Sequence, residues 1–131
     1  MTTSIDYLDI EDLLAVAHAI LGRAPDVRDW GLLQAALARP QTNVFGTDPY
    51  PTLPEKAGAL LHSLARNHAL VDGNNRLAWV ATRLFAAMNG SVLRAPTVDE
   101  GEKLVLGVAA GAIELPEIVA TLAAWGTWAL R

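Results

Sequence analysis

Residues 64–76 read Leu64-Ala65-Arg66-Asn67-His68-Ala69-Leu70-Val71-Asp72-Gly73-Asn74-Asn75-Arg76, and most side chains with useful chemistry in this cysteine-free chain fall within them. Upstream, Ala57, Leu60, Leu61, Leu64 and Ala65 recur at helical spacing, entered through Pro54 and Glu55, which suit a first helical turn. Downstream, Leu77, Val80, Ala81, Leu84 and Met88 form a second such stripe, stopped by Asn89-Gly90. The stretch therefore predicts two apolar helices joined by a tight turn at Asp72-Gly73-Asn74. His68 falls three and four residues after Ala65 and Leu64, so it is expected to continue the inward stripe and face the bundle interior. Arg76 is expected in the first turn of the next helix.

Other helices flank this pair. Ile10, Leu13, Leu14, Ala17 and Leu21 make a stripe with Asp9 as its N-cap and Gly22 as its stop. Trp30, Leu33 and Leu37 make another, ended by Pro40. Thr97-Val98-Asp99-Glu100 reads as a capping box ahead of Leu104, Val105 and Val108. Pro116 opens a last helix carrying Ile118, Val119, Leu122 and Trp125. No stretch sustains period-two alternation; the strand candidates, residues 43–45 and 91–93, are very short. The expectation is an all-α single domain over residues 1–131. Its longest loop, residues 41–53, holds Gly46, Asp48, Pro49, Pro51 and Thr52, and loops of that length are often functional.

Bulk properties agree. A chain of 131 residues fits one domain and buries roughly two-thirds of its unfolded surface without needing a staple. Ala and Leu dominate an apolar content of 52%, with aromatics at 6%, which favours helices. The net charge of −4, with no two basic residues adjacent, argues against a nucleic-acid partner. The absence of cysteine excludes disulfides and thiolate chemistry. Residues 1–8 are polar and form no signal peptide, and the longest apolar run, residues 104–113, is about half of a membrane span. A soluble cytoplasmic protein without membrane contact is expected.

The turn also implies chemistry. A helix N-terminus presents unpaired N–H groups and partial positive charge, which suit phosphate. Gly73 lets the backbone approach an anion, and Arg76 can add a bidentate contact to phosphate oxygens. An Asp facing phosphates, here Asp72, typically holds Mg²⁺. Imidazole titrates near neutrality, so His68 is a candidate base for an attacking hydroxyl. Taken singly, each residue has a plainer reading: His68 as a core histidine, Asp72-Gly73 as an ordinary turn, Arg76 as an exposed ion-pair partner. Their combination reverses that preference. His18 and His62 are read as structural, Trp125 as core, and Lys56 is assigned no chemistry.

The segment His68-Ala69-Leu70-Val71-Asp72-Gly73-Asn74-Asn75-Arg76 resembles the signature of the Fic/Doc (Fido) family: His, two or three variable residues, Asp or Glu, Gly or Ala, Asn, a variable residue, Arg. Val27-Arg28-Asp29, Gly31-Leu32-Leu33, Ala36-Leu37-Ala38-Arg39-Pro40, Tyr50-Pro51-Thr52-Leu53, Glu55-Lys56-Ala57, Leu64-Ala65-Arg66-Asn67 and Asn89-Gly90 resemble its death-on-curing branch. The resemblance covers roughly residues 9–111. It implies a six-helix Fic/Doc bundle with a short flap loop or hairpin. It also implies a toxin of a toxin–antitoxin module, a kinase-type transferase moving the γ-phosphate of ATP to a threonine of elongation factor Tu and arresting translation.

By that resemblance His68 is the base, Asp72 the Mg²⁺ ligand, and Gly73 and Asn74 line the anion hole. Asn75 and Arg76 contact the phosphates, with Arg76 neutralising transferring charge. Residues 41–53 correspond to the flap that aligns the target. Where the branch carries Lys, this chain has Asn75; one lost donor of this kind costs on the order of 10²–10³ in rate, which implies attenuated activity. Asn75 leaves open AMP transfer to a protein hydroxyl, or a weak toxin serving mainly as an antitoxin-binding module. No Ser/Thr-x-x-x-Glu-Gly/Asn inhibitory pattern is present; Thr97-Val98-Asp99-Glu100-Gly101 is one residue too short. Inhibition is then expected from a separate Phd-like antitoxin whose disordered segment folds into a groove.

Overall fold

The computed structural model describes residues 4–130, so part of the polar stretch at residues 1–8 lies outside the described residues. Among these, six α-helices follow one another: α1 (Ile10–Leu21), α2 (Trp30–Ala38), α3 (Leu53–Asn67), α4 (Asn74–Met88), α5 (Val98–Ala109) and α6 (Leu115–Trp125). The six helices implied by the sequence are all present.

Local chemistry explains most boundaries. Asp9 and Asp12 cap α1 reciprocally: Asp12 N–H donates to Asp9 Oδ1 at 2.9 Å, and Asp9 N–H donates to Asp12 Oδ2 at 3.0 Å. Gly22, at φ 71°, closes the helix. Asp29 caps α2 and Thr52 caps α3. The capping box expected at α5 is only half formed. Glu100 N–H donates to Thr97 Oγ1 at 3.1 Å, but the Glu100 carboxylate accepts from that hydroxyl, at 3.2 Å, instead of from the Thr97 backbone. The α2 stripe runs into a short 3₁₀ turn, Arg39–Gln41, before the chain leaves it.

Helix α3 is the centre of the molecule, with α2, α4, α5 and α6 packed around it. It buries residues on every face, including Leu53, Ala57, Leu60, Leu61 and Leu64. Gly58 sets how closely α6 approaches, because a β-carbon there would stand 2.8 Å from Val119 Cγ2. Helix α4 lies across α1, α3 and α5 and inserts Leu77, Ala81 and Phe85 into the same apolar cluster. The carboxamide of Asn89 fastens the chain's beginning to the end of α4, accepting from Asp6 N–H and donating to Asp6 O, each at 2.8 Å.

Of the two strand candidates, residues 91–93 contribute β1 (Val92–Leu93). Its antiparallel partner is β2 (Gly126–Thr127), with Val92 opposite Thr127 and Leu93 opposite Gly126. Residues 43–45 contribute only the bridge between Val44 and Thr47, a minimal hairpin. Its tip residues, Phe45 and Gly46, both have positive φ, 51° and 83°. No helix of the described residues is long and apolar enough to cross a membrane.

Candidate functional site

The turn between α3 and α4 is held from two directions. From one side the segment before α2 pairs with it: Val27 and Leu70 form an antiparallel bridge. Arg28 N–H and Asp29 N–H both donate to Ala69 O, at 2.7 and 3.1 Å, and Val71 N–H donates to Asp26 O at 2.9 Å. From inside, Asn74 closes the turn on itself, accepting from Leu70 N–H at 2.9 Å and donating to Leu70 O at 2.8 Å. Ala69 and Leu70 are buried beneath these bonds.

This framework imposes an unusual backbone on His68. It is the C-cap of α3 at φ 49°, ψ 48°, a left-handed conformation that side-chain-bearing residues rarely adopt. The single left-handed residue also overturns the inward orientation expected from spacing: His68 leaves the buried stripe and is exposed. Strain of this kind persists only where surrounding contacts over-determine it, and it concentrates at functional positions.

Asp72 is exposed on the same turn and enters no ion pair among the described residues. Gly73, at φ 87°, is the N-cap of α4, and a β-carbon there would come within 3.1 Å of Leu21 Cδ2. Because Gly73 brings no side chain, the first amides of α4 receive no side-chain cap. Both polar atoms of the Asn74 carboxamide bond to Leu70, so this side chain is committed to shaping the turn.

Asn75 and Arg76 line a cavity of about 730 Å³ between α4 and α5. Trp79, Arg83, Arg94 and Leu106 also line it. Asn75 Oδ1 itself is buried without a hydrogen-bond partner among the described residues. Arg83 is fixed by its Nε–H to Leu93 O at 2.9 Å. Trp79 is braced edge-on against Trp125, with ring centroids 6.1 Å apart. The lining combines apolar and aromatic surface with three guanidinium groups, a mixture suited to a heterocycle carrying phosphates. His68 and Asp72, on the turn before α4, do not line this cavity.

No cluster of three His, Cys, Asp or Glu able to cage a metal occurs among the described residues. The exposed, unpaired carboxylate of Asp72 fits the other mode of Mg²⁺ binding, in which one or two carboxylates share the ion with phosphate oxygens.

The loop of residues 41–53 is anchored by the cation of Lys56, a residue to which the sequence assigned no chemistry. Lys56 is buried, with its Nζ donating to Asp48 Oδ2 at 2.6 Å and to Pro40 O at 3.1 Å. The Lys56 ammonium hydrogen-bonded to Asp48 holds that carboxyl below its ordinary range. Phe45, at the hairpin tip, is fully exposed.

The Fic/DOC family profile matches residues 7–86, from the start of the described core through most of α4 and across the whole turn. The chain is also 52% identical, over 119 residues, to the protein named Toxin Doc of Mycolicibacterium smegmatis (strain ATCC 700084 / mc(2)155). That alignment covers 90% of this chain and 92% of the relative.

Proposed function

Because the chain belongs to the Fic/DOC family, a family of transferases, we propose that it is the toxin of a toxin–antitoxin module. In this reading it transfers the γ-phosphate of ATP to a threonine of elongation factor Tu and so arrests translation. The observation that carries the reading is the uncapped start of α4, with Arg76 in its first turn lining the α4–α5 cavity and the strained His68 at the other end of the same short turn. The likeness to Toxin Doc supports the toxin reading and, with it, a cognate antitoxin of the Phd type as inhibitor.

The residues then divide the work. The backbone N–H groups of Asn74, Asn75 and Arg76 receive phosphate oxygens, and Arg76 adds its fork to the charge that develops on the transferring group. The nucleoside occupies the cavity against Trp79. His68, exposed to an incoming protein, accepts the proton of the acceptor hydroxyl as its oxygen bonds to the γ-phosphorus. The bond from that phosphorus to the bridging oxygen breaks, and ADP leaves with the electron pair. A divalent cation held by Asp72 and phosphate oxygens would neutralise charge on the nucleotide. The hairpin at Val44–Thr47, with Phe45 at its tip, aligns the acceptor segment.

Asn75 favours a second reading, AMP transfer or a weak enzyme acting chiefly through antitoxin binding, because it brings no cation to the phosphates. The test is incubation with elongation factor Tu and ATP labelled at either the α- or the γ-phosphate. Label from γ-ATP on the factor, lost in His68→Ala, is the expected result. Label from α-ATP alone selects AMP transfer. No label from either, even with Asn75→Lys, removes the enzymatic reading.

A further inference from the structure

Arg39 stands just before the loop of residues 41–53 and Tyr50 near that loop's far end, and the arginine side chain ties the two together. Arg39 Nε–H donates to Tyr50 Oη at 3.0 Å, and the guanidinium lies 5.5 Å from the Tyr50 ring centroid. Arg39 Nη1 donates to Ser63 Oγ at 3.0 Å and meets His62 Nδ1 at 2.7 Å, both on α3. Arginine has no acceptor, so this contact requires a lone pair on His62 Nδ1. The ring proton then sits on Nε2, which is buried without a partner among the described residues. A proton on Nδ1 would set two N–H groups against each other.

We infer that His62 and Arg39 form a proton-sensitive latch on the Tyr50 end of this loop: the neutral imidazole holds Arg39 against Tyr50, and the protonated ring releases it.

The charged groups acting on His62 are Arg39 from the 3₁₀ turn, Arg66 from its own helix, and Glu114 at the start of α6. Burial first, then the two arginines, hold the imidazole below its ordinary pKa of 6.5, while Glu114 pulls weakly the other way. Once released, the ring meets water and takes up a proton near the ordinary value, about 6.5. Below that pH the released form therefore binds more protons than the latched one. The released fraction grows as pH falls, by up to about tenfold per unit, until the latched ring itself protonates. Asp48, held below its ordinary 3.8 by Lys56, stays ionised through this window, so the second anchor persists and release is local. The latch stands on the loop's anchoring, independent of which group the protein transfers.

The measurement is NMR of the full chain between pH 7.5 and 5.5, following the Tyr50 ring and the amide protection of residues 42–50. The Tyr50 signal is expected to move with His62's own titration, at a midpoint below about 6.5, while protection falls by up to about tenfold per unit. Core amides of α3 and α4 should hold theirs. His62→Gln, which keeps an acceptor for Arg39 but does not titrate, should flatten both responses and separate His62 from His18 and His68. Should that variant not fold, Tyr50→Phe cuts the loop from Arg39 and is expected to leave protection low and independent of pH. A Tyr50 signal that stays still in the parental chain, or a pH response retained in either variant, overturns the latch.

Discussion

Asn74 spans the turn to Leu70 with both polar atoms of its side chain, at 2.9 and 2.8 Å, so one carboxamide satisfies both backbone groups of a buried residue. This clamp lies directly between His68 and Arg76 in the chain, and it fixes the path from the base to the start of α4.

Asn74→Ala is therefore expected to act on stability and activity together. Two buried backbone groups lose their partners, which costs about 1–3 kcal/mol for each group left unsatisfied. Denaturant unfolding reads that loss, and label transfer should fall further than the loss of folded protein explains. Asn74→Asp keeps the acceptor for Leu70 N–H but sets a carboxylate against Leu70 O, so it should rescue little.

Asn75→Lys should raise activity. The position lines the cavity and its Oδ1 has no partner among the described residues, so a cation reaching the phosphates adds stabilisation where charge develops. The expected gain in γ-phosphate transfer is about 10²-fold, the scale of a single electrostatic donor. An unchanged rate would mean that the phosphates do not pass this residue.

Lys56 and Asp48 differ in how they tolerate change. Lys56 is 4% exposed at its side chain and Asp48 38%, so Asp48→Ala strands a buried ammonium and should cost about 1–3 kcal/mol, below the range for a fully buried pair. Lys56→Met removes the charge while keeping length and apolar contacts, and it should cost less than Asp48→Ala. The native Asp48 carboxyl is held below 3.8, so the native state binds fewer protons than the unfolded one. Its contribution to stability is complete above that value and fades as pH falls below it; Asp48→Ala should lack this part of the acid limb in urea titrations.

Gly58→Ala sets two effects against each other. Alanine gains about 1 kcal/mol over glycine in a helix interior, but its β-carbon would lie 2.8 Å from Val119 Cγ2, and overpacking of this kind costs about 1–3 kcal/mol. Net destabilisation is expected, with recovery when Val119→Ala is added; simple additivity of the two changes would show that α6 does not approach α3 so closely.

What the sequence made legible was local. Asp9, Gly22, Pro40 and Asn89 mark element ends because capping and chain reversal depend on a few neighbours. The His68–Arg76 turn was visible for the same reason, since its parts are adjacent in the chain. The orientation of His68 was misread because spacing arguments assume an unbroken helix, and one left-handed residue rotates the side chain off the stripe. Lys56 was passed over because its partners, Asp48 and Pro40, reach it only through the loop's fold. The cavity between α4 and α5, and the pairing of Val92 with Thr127, exist only once distant helices pack.

The central claim is that phosphates sit on the open start of α4 while the nucleoside fills the adjoining cavity. A crystal structure with a non-hydrolysable ATP analogue and Mg²⁺ tests it most directly. Phosphate oxygens on the amides of Asn74, Asn75 and Arg76, with the base against Trp79, are the predicted result. A nucleotide bound elsewhere, leaving this turn bare, would contradict it.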